Sequence, residues 1–249
     1  MSVSEQASER KFSIDIVIVN WNSGSLLKEC LAAIEGTDVA EGTHVIVVDN
    51  ASTDCSADGL SGKRIHIDVI KNTSNRGFAA ACNQGAEVGC APAILFLNPD
   101  VKVFPETIER AGAYLQDPAS PNLGIVGVQL LDSDGKITRS CARRATTFTL
   151  LLQGLLLDRL VGPPVSHFMT DFDHCATRDV DQVSGAFLLI KRPLYERLGG
   201  FDERFFVYYE DLDICACALD SGARVQYYAG TRAIHHGGGT TNAILKKWR

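Results

Sequence analysis

The sequence has no apolar run approaching the roughly 20 residues that a membrane span requires. Its opening segment, Met1 to Lys11, is polar and lacks the apolar core of a signal peptide, so the chain reads as cytoplasmic. No basic run breaks its acidity: 24 basic against 30 acidic residues leave a net charge of −6, which argues against a nucleic-acid or general polyanion binder. The eight cysteines, at 30, 55, 82, 90, 141, 175, 215 and 217, include no Cys-x-x-Cys pair. Without a secretory signal they read as mostly reduced, buried small hydrophobes rather than a disulfide framework. For the same reason the sequons at Asn50 and Asn72 read as loop chemistry, not sugar attachment. No Gly-x-Gly-x-x-Gly or P-loop follows a strand-like run, and there is no Gly-x-Ser-x-Gly elbow. Repeats and low-complexity segments are also missing.

What remains is an ordinary globular balance over 249 residues, 45% apolar and 22% charged, enough for one substantial core. Short aliphatic runs alternate with helical spacing: Ile14–Val19, then Leu26, Leu27, Cys30, Leu31 and Ile34, followed by His44–Val48 and Ile65–Ile70. A helix from about Phe78 to Val88, a strand over Ala93–Leu97, a helix opened by Pro105 and a strand over Gly124–Leu130 continue the pattern. Strands separated by helices predict an α/β fold whose parallel strands are buried on both faces.

From about Leu131 the alternation is less regular, with a hairpin turn over Asp132–Gly135. The spacing predicts a strand over Val183–Ile190, a short helix from Pro193 to Gly199 and Gly200, and another strand around Val225–Ala229. The apolar stretch Thr149–Leu160 is too short to span a bilayer and reads as a core or partner-facing helix, or as a membrane-surface contact.

In parallel sheets ligands bind beyond the carboxyl ends of the strands. Here those ends read Asn20-Trp-Asn22, Asp49-Asn-Ala-Ser-Thr-Asp54, Asn72 to Gly77, and Asn98-Pro-Asp100. Each alone is ordinary cap and turn chemistry; four on one edge suggest a ligand site. Asp49 and Asp100 would repel a diphosphate directly, so Asp100 fits a divalent cation bridging to phosphates and Asp49 fits a base N–H.

The densest acidic cluster is Tyr208-Tyr-Glu-Asp-Leu-Asp213, ahead of a helical stripe of Leu212, Cys215, Ala216 and Leu219 that stops at Gly222. Carboxylates in a first turn can simply complement the helix dipole. The preceding Phe205–Tyr209 run is expected to desolvate them and raise a pKa toward general-base use. His235-His-Gly-Gly-Gly239, after the last strand, offers an imidazole that could join a carboxylate on Mn²⁺ or Mg²⁺, with a structural histidine as the competing reading.

These pieces together resemble the inverting family-2 glycosyltransferases of the GT-A fold. Within that family the chain is similar to the bacterial rhamnosyltransferase-like branch of cell-wall and surface polysaccharide synthesis. The resemblance runs from about Ile14 to Gly239. It rests on Val19–Ser23, Val48–Asp54, Asn75-Arg-Gly-Phe78 with Asn83, Leu97–Asp100, Val183-Ser-Gly-Ala186, Gly199–Glu203, Tyr209–Asp213 and His235–Gly238, in that order.

It implies one GT-A domain with a Rossmann-like, mostly parallel sheet. Residues of about 12–130 would form the nucleotide-sugar half and 131–240 the acceptor half. Asn20 and Asp49 would contact the base, Asn75, Arg76, Gly77 and Phe78 would close over the nucleoside, and Asn22, Asn98, Ser184 and Gly185 would complete the nucleotide-sugar site. Asp211 matches the base that deprotonates the acceptor, with Glu210 orienting acceptor or sugar. Asp100 and His235 match metal contacts, with Mn²⁺ or Mg²⁺ as cofactor. Asn98 departs from the family's Asp-x-Asp by replacing its first aspartate, which puts strict metal dependence in doubt.

The implied donor is dTDP-rhamnose, although a UDP-sugar would suit the same residues. The implied acceptor is a glycan or polyprenyl-diphosphate-linked sugar at the inner membrane face, toward which Thr149–Leu160 or Lys246–Arg249 would orient the chain. A sugar-nucleotide pyrophosphorylase would need a basic glycine-rich loop after the first strand, where Asn20-Trp-Asn-Ser-Gly24 has none. A non-catalytic sugar-nucleotide binder would not need a carboxylate at 211.

Overall fold

Strand β1 (Ile14–Asn20) is buried at every position, so its two faces both need covering. Its even-numbered Ile14, Ile16 and Ile18 join α1 (Leu26–Glu35) and α3 (Thr107–Gln116) in one apolar layer. Its odd-numbered Val17 and Val19 join α2 (Phe78–Ala86), α4 (Arg192–Leu198) and α5 (Glu210–Asp220) in a second. This period-2 division of one strand between two layers is the α/β sandwich in miniature. The computed structural model describes residues 13–144, 169 and 171–237.

Around β1, β2 (His44–Asp49), β3 (His66–Lys71) and β4 (Ala93–Leu97) pair in parallel, in the order β3-β2-β1-β4. The register places Asn20 beside Asp49 and Asp49 beside Lys71, so the polar strand ends lie in one row. Strand β3 is the edge and is only partly buried, unlike its neighbours.

Beyond β4 the sheet departs from continued parallel pairing. The strand expected over Val183–Ile190 is split into β9 (Gln182–Val183) and β10 (Phe187–Lys191). β10 enters antiparallel between β4 and β6 (Leu123–Leu131). β9 instead pairs with β7 (Cys141–Ala142) in a separate ribbon. The final strand, β11 (Arg224–His235), outruns the expected Val225–Ala229 because it pairs first along β6 and then with β5 (Val101–Val103), with an irregularity between Tyr228 and Arg232. His235 therefore belongs to the strand end and does not follow it. A short β8 (Arg178–Asp179) also pairs with β11.

Smaller differences have local causes. Pro105 lies in the turn before α3, which begins at Thr107 where the Thr107 N–H bonds the Phe104 carbonyl. Of the cysteines, Cys30, Cys82, Cys141 and Cys215 are buried and Cys55, Cys90, Cys175 and Cys217 exposed, all free thiols, so only half behave as core residues. Thr149–Leu160 and Lys246–Arg249 lie outside the described residues, and no described helix is long and apolar enough to cross a membrane.

Gly85 sets the approach of α2 to the sheet: a Cβ there would lie 2.5 Å from Val17 Cγ1 and 3.1 Å from Val48 Cγ2. Alanine gains about 1 kcal/mol of helix propensity, but overpacking costs about 1–3 kcal/mol. Gly85→Ala is therefore expected to lower the urea midpoint through a net loss of up to about 2 kcal/mol. A midpoint that stays level or rises would contradict this close approach.

Candidate active site

Four loops leave the carboxyl edge of the parallel strands, and two asparagine amides hold them. Asn20 has no exposed surface. Its Nδ2 lies 3.0 Å from Asp49 Oδ1, 3.0 Å from Ser52 Oγ and 2.9 Å from Ser56 Oγ, while Ser23 Oγ donates to its Oδ1. With two N–H groups facing three acceptors, the amide is fully engaged, and it acts by fixing the Asp49 carboxylate. Asn22, in the left-handed region at φ 51°, accepts from the Thr53 N–H at 2.7 Å and ties the same loop down.

Asn50 does the equivalent work one strand along and was not among the expected site residues. Its Nδ2 donates to Asn75 Oδ1 (2.8 Å) and the Gly77 carbonyl (3.1 Å), and its Oδ1 accepts from Arg76 N–H (3.0 Å) and Asn72 Nδ2 (3.1 Å). Both sequon asparagines are thus loop-shaping amides. Asn75 turns inward to Asn50, while Arg76 is exposed. Gly77 (φ 89°) and Phe78 receive the 201–209 segment: a Cβ on Gly77 would lie 2.7 Å from the Phe206 carbonyl, which the Phe78 N–H reaches at 2.7 Å.

The Asn98-Pro-Asp100 turn brings Asp100 to the end of β11. Asp100 Oδ1 lies 3.3 Å from His235 Nε2, and the His236 N–H bonds the Asp100 carbonyl at 3.0 Å. Ligand atoms about 3 Å apart are what adjacent positions on an Mg²⁺- or Mn²⁺-like ion require, so these two side chains fit the expected metal contact. The Asn98 N–H donates to the Ala186 carbonyl at 3.0 Å, joining this turn to the break between β9 and β10.

That break also holds the acidic helix end. Asp211 Oδ2 accepts from the Gly185 N–H at 2.9 Å, and its Oδ1 from Gln182 Nε2 at 3.1 Å and from the Leu212 N–H at 2.8 Å. Burial pushes the Asp211 carboxyl above its ordinary range, opposed by these same hydrogen bonds. Gln182 was missed although it precedes the Val183–Ala186 segment. Ser184 contributes its hydroxyl locally, accepting from the Ala186 N–H at 3.3 Å.

The buried face of α5 is Glu210, Ile214, Cys215 and Ala218, displacing the expected stripe of Leu212, Cys215, Ala216 and Leu219. Glu210 is thereby drawn inside, where Oε2 has no hydrogen-bond partner among the described residues. Burial, with a smaller push from Asp211, raises its carboxyl to about 7. Of the expected aromatic cover, Phe205 is half-buried, while Phe206, Tyr208 and Tyr209 are 57%, 52% and 60% exposed. The desolvating surroundings are interior ones, including Cys82 of α2, whose thiol Glu210 helps push up. Tyr208 and Tyr209 both have positive φ, 68° and 71°, a strained conformation for bulky residues immediately before the two acids.

With this geometry in view, the family comparison is decisive: the model for glycosyl transferase family 2 matches residues 15–176. The chain belongs to glycosyl transferase family 2. Among curated proteins it is 26% identical over 242 residues to the N-acetylglucosaminyl-diphospho-decaprenol L-rhamnosyltransferase of Mycobacterium tuberculosis, covering 90% of this chain and 76% of that one. Its fold matches that of a mannosyltransferase from Pyrobaculum calidifontis in complex with GDP-Man and Mn²⁺, with a TM-score of 0.64 at 20% identity over 94% of this chain and 60% of the other. It also matches S. aureus TarS in complex with UDP-GlcNAc, with a TM-score of 0.64 at 17% identity over 91% of this chain and 59% of the other. The chain thus spans about 60% of the length of these solved structures. The likeness is one of fold, and that fold is GT-A.

An acid that titrates higher in the folded chain than its ordinary 4.5 stabilises the fold while protonated. For Glu210 this contribution is present below pH 4.5 and lost as pH rises through about 7. Thermal melts of the family-2 chain should show stability falling over this window, and Glu210→Gln should flatten the fall. An equal fall in the variant would place Glu210 in a wetter environment than described.

Proposed function

We propose that this protein is an inverting glycosyltransferase that moves rhamnose from dTDP-rhamnose to a hydroxyl of a glycan or polyprenyl-diphosphate-linked acceptor, in cell-wall or surface polysaccharide synthesis. The observation that carries the chemistry is Asp211, a carboxylate at a helix amino terminus gripped by Gly185 N–H and Gln182 Nε2, one loop from Asn98 and Asp100. The names of similar proteins support the donor class, and the mannosyl and N-acetylglucosaminyl ligands of the solved relatives support a nucleoside diphosphate.

On this reading Asp49, held by Asn20, accepts a base N–H, and Arg76 is the exposed cation available to the nucleotide. Asp100 and His235 hold a divalent cation, Mn²⁺ or Mg²⁺, whose chemistry is to offset charge on the departing diphosphate. Asp211 takes the proton of the acceptor hydroxyl as that oxygen bonds to the anomeric carbon. The bond from this carbon to the diphosphate oxygen breaks in the same displacement, inverting the centre. Glu210, buried beside it, orients acceptor or sugar. An acceptor on a polyprenyl carrier places the protein at the inner face of the membrane as a peripheral enzyme.

General-base removal costs about 10²–10⁴ in rate. Asp211→Asn should lower turnover by that order while stabilisation by dTDP-rhamnose with Mn²⁺ persists in thermal melts. Retained turnover would overturn the assigned base. Greater stabilisation by UDP-sugars than by dTDP-rhamnose would move the donor to the UDP class, and no response to any nucleotide sugar would overturn the transferase reading.

A further inference from the structure

The opposite, amino-terminal edge of the sheet carries a second set of metal-type donors. His44 opens β2 and His66 opens β3; they are direct cross-strand partners, and Asp68 follows two residues later on β3. Successive side chains of a strand alternate, so His66 and Asp68 share a face. His44 Nε2 lies 2.9 Å from Asp68 Oδ2 and His66 Nε2 lies 3.5 Å from Asp68 Oδ1. One donor atom from each of the three residues lies within 4.8 Å of the others.

Behind them stands Asp15 of β1, buried, with Oδ1 3.6 Å from His44 Nδ1. Its other oxygen accepts from Arg192 Nη2 and the Ala91 N–H, both at 2.7 Å, so the carboxylate is fixed in place. His44 therefore has a carboxylate facing each ring nitrogen. Nε2 is within hydrogen-bond reach of Asp68 at 2.9 Å, whereas at 3.6 Å Asp15 faces Nδ1 as an ion-pair contact only. A ligating histidine characteristically presents its other nitrogen to a carboxylate, the relation Asp15 bears to His44.

We propose that His44, His66 and Asp68 bind a zinc-class divalent cation, with Asp15 orienting His44 and water completing the coordination. Two imidazoles and one carboxylate suit Zn²⁺ over Mg²⁺ or Mn²⁺. Tetrahedral Zn²⁺ with bonds near 2.0–2.1 Å holds its ligand atoms about 3.3 Å apart, and the two histidine-to-Asp68 separations of 2.9 and 3.5 Å bracket that distance. His44 stands five residues before Asp49 on β2, roughly 17 Å along the strand, so this site is separate from Asp100 and His235. Its effect is to clamp β2 to β3, the strand at the open edge of the sheet.

The test uses tag-free full chain, titrated with Zn²⁺ by calorimetry and melted with and without it. The wild type should bind one zinc at micromolar or tighter affinity and melt higher when loaded. His66→Ala and Asp68→Asn change side chains that are 71% and 46% exposed, so both variants should fold. Each should weaken binding at least about tenfold and lose the thermal shift, whereas Asp100→Asn should keep both. Zinc binding unchanged in His66→Ala and Asp68→Asn, or lost in Asp100→Asn alone, would place the metal elsewhere and overturn the site. Absence of micromolar binding by the wild type would overturn the site.

Discussion

The hydrogen bonds of Asn20 and Asn50 are the constraint from which the rest of the upper edge follows. Parallel strands stop with backbone groups and loop peptides that need partners, and a buried unpaired group costs about 1–3 kcal/mol. Asn20, without exposed surface, gathers Asp49, Ser23, Ser52 and Ser56 around one amide. Asn50 gathers Asn72, Asn75, Arg76 and Gly77 around another. The two are adjacent through the Asn50 N–H to the Asn20 carbonyl at 2.8 Å, so three strand exits form one rigid rim. Asp49 is buried in this rim and Arg76 is exposed on it; on the proposed function such a rim would not have to reorganise when charge arrives, which is the condition for electrostatic preorganisation.

The second half is fastened to this rim at two places. Phe206 closes on Gly77 and Phe78, a contact only glycine allows at that position. The Ser184–Ala186 break faces both ways, its Ala186 carbonyl taking Asn98 and its Gly185 N–H taking Asp211. A continuous strand over Val183–Ile190 would have bonded those peptides to neighbouring strands. Splitting it frees one acceptor and one donor and so sets the distance between the Asp100 turn and the acidic helix end. The cost is concentrated nearby, in Glu210 Oε2, which has no hydrogen-bond partner among the described residues, and in two consecutive aromatic residues with positive φ. Strain and unsatisfied polarity of this kind gather where a chain is shaped for a ligand and not for stability alone.

The first hundred residues were legible because their strands are short aliphatic runs and each is followed by residues that turn and cap. Period and punctuation agreed there, and the row of Asn20, Asp49 and Asp100 followed from them. Past Leu131 the signals conflict. Val183–Ile190 reads as one apolar run because nothing in its composition says that Gly185 is needed by a carboxylate 26 residues later. The stripe on α5 was misplaced for a related reason: apolar residues lie on more than one face, and nothing in the spacing of Leu212, Cys215, Ala216 and Leu219 says that the buried face instead runs through Glu210, Ile214, Cys215 and Ala218. Asn50 and Gln182 were hidden for the opposite reason, since an amide that serves backbone groups resembles any loop amide until its partners are known.

The asparagine at 98 also takes a physical meaning from the fold. Asn98 accepts from the Val101 N–H at 3.1 Å across Pro99 and Asp100, which makes the segment a β-turn with asparagine first and proline second, residues those positions favour. Its N–H is simultaneously bound to Ala186, so the residue organises the turn through its backbone. A second carboxylate here would add negative charge beside Asp100, which is nearly enclosed and whose charge already helps push the buried Cys30 thiol up. On the proposed mechanism one carboxylate and His235 form an incomplete set for a hard cation, and Mg²⁺-like ions are commonly completed by substrate phosphates and water. On that proposal cation retention would be coupled to the presence of the diphosphate, and Asp211, gripped by the Gly185 N–H and Gln182 Nε2, would already be in place for the acceptor.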